Sequence, residues 1–84
     1  MPEISKFYGI LIKMYFIEGE HPPPHIHALY GEFSGSFNIE TGTMRQGDLP
    51  ARACSHIQEW IGLHKDALLE MWNTQKIYEL PPLK

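Results

Sequence analysis

Apolar and polar positions alternate from Ile10 onward: Ile10, Ile12, Met14 and Phe16 fall on one side of a two-residue repeat, and Leu11, Lys13 and Tyr15 on the other. That period predicts a strand with one buried face. The run Glu18-Gly19-Glu20-His21-Pro22-Pro23-Pro24 interrupts it, and its three consecutive prolines impose an extended connection that lacks three backbone donors. A second strand is predicted from His25 to Tyr30, a tight turn at Tyr30-Gly31-Glu32, and a third strand from Phe33 to Ile39. In that third strand Phe33, Phe37 and Ile39 share one face, and Ser34, Ser36, Asn38 and Glu40 the other. Thr41-Gly42-Thr43 is a further turn signal, and Met44 to Gln46 fits a short fourth strand.

After Asp48-Leu49-Pro50 the period changes. Pro suits the first turn of a helix and Asp its positive end. Ala53, Ile57, Trp60 or Ile61, Leu68, Met71 and Trp72 then recur at helical spacing, which predicts helix from about Pro50 to Asn73. His64 falls on the face that carries Trp60, Leu68 and Trp72. Gly62 costs about 1 kcal/mol against Ala at such a position, so either one long helix or two helices broken near Gly62 satisfies the pattern. The tail, Leu80-Pro81-Pro82-Leu83-Lys84, cannot continue a helix and is expected to be extended or frayed. The expected fold is α+β: a small antiparallel sheet of three to four strands packed on a C-terminal helix. Trp60 and Ile57 are expected to meet Ile12, Phe37 and Ile39 in its core.

With 84 residues, 43% of them apolar, residues 1–84 are expected to form a single domain, and an acidic disordered tail is excluded. The longest apolar run, Phe7 to Ile17, contains Lys13 and is too short to span a bilayer. The opening residues lack the basic-then-apolar layout of a secretory signal, and Cys54 is the single cysteine. A cytoplasmic location without membrane attachment is therefore expected. The seven basic residues are scattered and the net charge is −3. Nucleic-acid binders draw affinity from a basic patch, so charge gives that partner class no support.

Candidate chemistry concentrates in His21-Pro22-Pro23-Pro24-His25-Ile26-His27. On a strand, His25 and His27 project to the same side, about 7 Å apart. Two imidazoles so placed suit an acid–base pair, or two ligands of a divalent metal ion, with His21 as a third nitrogen. Glu18, Glu20, Glu32 and Glu40 are candidate completing carboxylates. The same histidines also suit a structural role, with packed rings hydrogen-bonded to backbone. Arg52 is a candidate for steadying a phosphate, and Tyr30 and Glu32 are candidate binding residues beside a turn. Cys54 reads as a packing residue, and no serine sits in a nucleophile motif.

Several blocks resemble one family of short bacterial proteins. They are Pro2-Glu3-Ile4-Ser5, Phe7-Tyr8-Gly9-Ile10, Met14-Tyr15-Phe16, Pro23-Pro24-His25-Ile26-His27-Ala28, Tyr30-Gly31-Glu32, Ile39-Glu40-Thr41-Gly42, Gly47-Asp48-Leu49-Pro50-Ala51-Arg52-Ala53 and Glu59-Trp60. The family is domain of unknown function 4160. The resemblance covers nearly the whole chain; Pro22 and the Gly19-Glu20-His21 approach depart from its pattern. Members are often encoded beside another small protein, which implies a toxin–antitoxin-like pairing. Two functions follow as expectations. The first is an interaction module that works with a nearby-encoded small protein or by self-association. The second is a small RNA hydrolase with His25 and His27 as general base and acid and Arg52 on the phosphate, with or without a metal.

Overall fold

The chain starts with a hairpin. β1 (Glu3–Phe7) turns at Tyr8-Gly9 into β2 (Ile10–Lys13), and both turn residues hold positive φ, 50° at Tyr8 and 79° at Gly9. Such a turn matches the right-handed twist of the flanking strands. β3 (His25–Tyr30), β4 (Phe33–Asn38) and β5 (Met44–Gly47) follow, and α1 (Ala51–Thr74) completes the fold. The computed structural model describes residues 3–14 and 23–83.

The five strands form one antiparallel sheet in the order β1-β2-β3-β4-β5, one more strand than the largest number expected. The additional strand is β1. Its alternation is hidden in the sequence by a bulge between Glu3 and Ser5, which lets Ile4 and Ser5 both be buried. The strand predicted from Ile10 ends at Lys13; Tyr15 and Phe16, to which the alternation extends, lie outside the described residues.

Register sorts the side chains. Ser5, Ile12, Ala28 and Gly35 stand opposite one another across four strands, as do Phe7, Ile10, Tyr30 and Phe33. These rows face the helix. Between them, Lys6, Leu11, Leu29 and Ser34 form one row of the outer face, and beyond the Ser5 row Glu3, Lys13, His27, Ser36 and Gln46 form another. Gly35 and Gly47 pair so closely that a Cβ on Gly47 would lie 2.3 Å from the Gly35 Cα; Gly47 also has a φ of 128°. β5 meets β4 there because neither residue has a side chain.

α1 lies on the inner face, and Ala53, Ile57, Trp60, Ile61, Leu68 and Met71 enter one core with Ile10, Ile12, Met14, Ile26, Phe37 and Ile39. Trp60 is completely buried, its ring 5.7 Å from that of Phe7. α1 consists of two helical segments joined across a kink at His64, whose φ of −119° and ψ of 18° leave the helical region two residues after the exposed Gly62. The His64 ring rests 5.0 Å from that of Trp60. Gln75 closes the helix in the left-handed conformation and donates its N–H to the Met71 carbonyl at 2.9 Å.

The tail is extended and not frayed through Leu83. The Leu80 N–H donates to the Ile4 carbonyl at 2.8 Å, Trp60 Nε1 donates to the Pro81 carbonyl at 2.9 Å, and Leu83 is buried. The tail therefore runs along the free side of β1.

Candidate functional site

The two groups of candidate residues occupy opposite ends of β3. At its first residue, His25 is only 3% exposed. Its Nδ1 lies 2.9 Å from the Pro23 carbonyl, and its ring is 5.0 Å from that of Trp72 on α1 and 5.2 Å, edge to face, from that of His27. His25 is thus not displayed, contrary to what alternation with the core residue Ile26 implies, because Trp72 reaches it from the helix. His27 is half-buried on the outer face and lines a shallow cavity of about 290 Å³ with Leu29, Ser34, Ser36 and Gln46.

Of the metal candidates His25, His27 and His21, the last lies outside the described residues, as do Glu18 and Glu20. Among the described residues no group of three histidine, cysteine or acidic side chains gathers to hold a metal ion. Glu32 and Glu40 are exposed near turns, and neither lines the His27 cavity.

At the other end, Tyr30 closes β3 about 17 Å along the strand from His25. It lines a cavity of about 480 Å³ with Tyr8, Ile10, Pro50, Arg52, Ala53 and His56. Arg52 thus joins Tyr30 and not the histidine pair, so the set expected for phosphate hydrolysis is divided between two places. Tyr8 is 52% exposed, and its ring sits 4.7 Å from that of His56. Pro50 precedes the helix without a side-chain cap, and no acidic residue occupies the first turn. Sequence reasoning missed Tyr8 and His56. The signals were there: Tyr8-Gly9 is a turn dipeptide, and His56 is one helical turn beyond Arg52.

The fold and motifs meet in one comparison: the family model described as Domain of unknown function (DUF4160) matches residues 9–73. The chain belongs to this family. No curated protein and no solved structure matches the chain. The DUF4160 match spans β2 to β5 and all but the last residue of α1, so it includes both histidines and most of the Arg52 cavity; Tyr8 lies just before it. In this DUF4160 chain Cys54 is half-buried and directs its thiol at the Leu49 carbonyl, 3.7 Å away. Among the described residues no helix is long and apolar enough to cross a membrane.

Proposed function

We propose that this DUF4160 chain is an interaction module of a bacterial two-component, toxin–antitoxin-like system. It acts in the cytoplasm on the small protein encoded beside it. The observation that carries the reading is the contrast between the two sheet edges. β1 is covered by the tail, whereas all four residues of β5 are exposed. An exposed edge offers backbone donors and acceptors to an added strand. β5 is short, bulged at Arg45 and charged there, features that discourage indiscriminate pairing. Arg45 is its one charged residue, so the fitting occupant is an extended partner segment with an acidic side chain.

The division of His25, His27 and Arg52 between two ends of β3 supports this reading over the RNA hydrolase. The test mixes the purified chain with the adjacent-frame product and follows amide exchange and calorimetry. Stoichiometric binding, slowed exchange at Met44–Gly47, and loss of affinity in Arg45→Glu are expected. A partner that does not bind, or binds with β5 exchange unchanged, refutes it. So does RNA cleavage by the parent that His27→Ala abolishes.

A further inference from the structure

The cavity between the β1–β2 turn and the start of α1 has no part in that edge. It combines features that a packing defect does not need. Apolar Ile10 and Ala53 line it together with Tyr8, Tyr30, Arg52 and His56, and the Tyr8 ring lies 4.7 Å from that of His56. At about 480 Å³ it falls in the size range of small-molecule sites, which pair apolar surfaces with a few convergent polar groups. The backbone at Tyr8 adds a second observation. A bulky residue with a φ of 50° is strained, and Asn or Gly would fit the turn without that strain. The strained residue is the one that presents a half-exposed aromatic ring beside the Arg52 cavity.

We infer that this cavity binds a nucleoside monophosphate. The planar base lies against the Tyr8 and Tyr30 rings, which accept any base because every base has a π-face. The phosphate sits on Arg52, whose planar fork matches phosphate geometry and which makes no ion pair among the described residues. The uncapped first turn of α1 adds backbone N–H groups at the same end, with no acidic side chain in that turn to oppose an anion. A single arginine at the cavity, in a chain of net charge −3, suits one phosphate and not a long polyanion. The inference is independent of partner binding at β5.

The test is a two-dimensional NMR titration of the intact chain with adenosine monophosphate. Saturable shifts are expected at the amides of residues 51–53 and at the Arg52 Nε–H. Adenosine and inorganic phosphate, each lacking half of the ligand, bind about tenfold more weakly or worse. Arg52→Met weakens binding by about tenfold or more. Tyr8→Asn, which relieves the turn while removing the ring, also weakens it and leaves the spectrum folded. A 5′-phosphorylated RNA tetranucleotide distinguishes the source. Affinity equal to that of the mononucleotide assigns the site to free nucleotide, and tighter binding assigns it to an RNA end. Absence of saturable shifts up to about 10 mM overturns the inference. So does an affinity that phosphate or adenosine alone matches, or one that folded Arg52→Met retains.

Discussion

Replacing Trp60 tests the packing account most directly. The side chain is completely buried, its ring tilted against that of Phe7, and its Nε1–H donates to the Pro81 carbonyl. Truncation to Ala in a well-packed core costs about 3–5 kcal/mol, because transfer free energy is lost and a void remains. An 84-residue domain has about 4–13 kcal/mol in total. At about 4–8 °C per kcal/mol for this size, Trp60→Ala lowers the melting temperature by at least about 12 °C. Trp60→Phe separates the two contributions. It keeps most of the ring but loses the donor; Pro81 is exposed, so its carbonyl can turn to water and the cost of the bond stays near 0.5–1.5 kcal/mol. The Phe variant should therefore melt only moderately below the parent, yet exchange its Leu80 amide faster as the tail loosens. Thermal unfolding followed by circular dichroism reads the first effect, and hydrogen exchange the second. Trp60→Ala melting within about 4 °C of the parent would refute the placement of Trp60 at the centre of the core.

Three further outcomes follow from the geometry. Gly47→Ala meets the Gly35 backbone and a φ of 128°, so it should destabilise by about 1–3 kcal/mol in urea titration; an unchanged midpoint contradicts the close β4–β5 approach. His25→Ala should cost about 1–3 kcal/mol, since it removes a buried ring and its bond to Pro23, and more than His27→Ala; the reverse order in urea denaturation would show His25 to be dispensable for folding. Partial desolvation and the Glu70 carboxylate, 3.4 Å from the Tyr78 hydroxyl, raise that phenol above its ordinary pKa. A raised folded-state pKa means the associated stability is present below the ordinary phenol value and is lost as pH rises through the folded one. Ultraviolet titration of Glu70→Gln should therefore show one tyrosine ionising at lower pH than in the parent, and an unmoved midpoint would rule out the pairing.

Periodicity made much of this fold legible. The alternation in Ile10–Met14 and at Phe37 and Ile39, and the spacing from Ala53 to Met71, place the same residues in the core that the structure does, whereas Phe33, expected on the face of Phe37 and Ile39, is half-buried outside it. The weakness near Gly62 was also legible: two helical segments meet at a kink two residues later, at His64. β1 was not, because a bulge erases the two-residue repeat over Glu3–Ser5. The packed tail was not, because Leu80 and Leu83 flank prolines and their burial depends on β1 and Trp60, which are distant in sequence. At the candidate site the strand period placed His25 and His27 together, but nothing local reports that Trp72 covers His25. Arg52 shows the same limit: its helix position was clear from the sequence, while its neighbours Tyr8 and Tyr30 come from two hairpin ends.

The tail on β1 also sets the valence of the sheet. A sheet with two bare edges can accept a strand on each side, and copies of it can then add without limit into filaments. With Leu80 already bonded to Ile4, only the β5 side remains for strand addition among the described residues. One partner strand satisfies it. If two copies of this chain meet through β5, each consumes the other's open edge and the assembly closes as a symmetric pair. The segment 76–83, which follows the helix-closing Gln75, thus converts a surface prone to open-ended growth into one with a fixed stoichiometry.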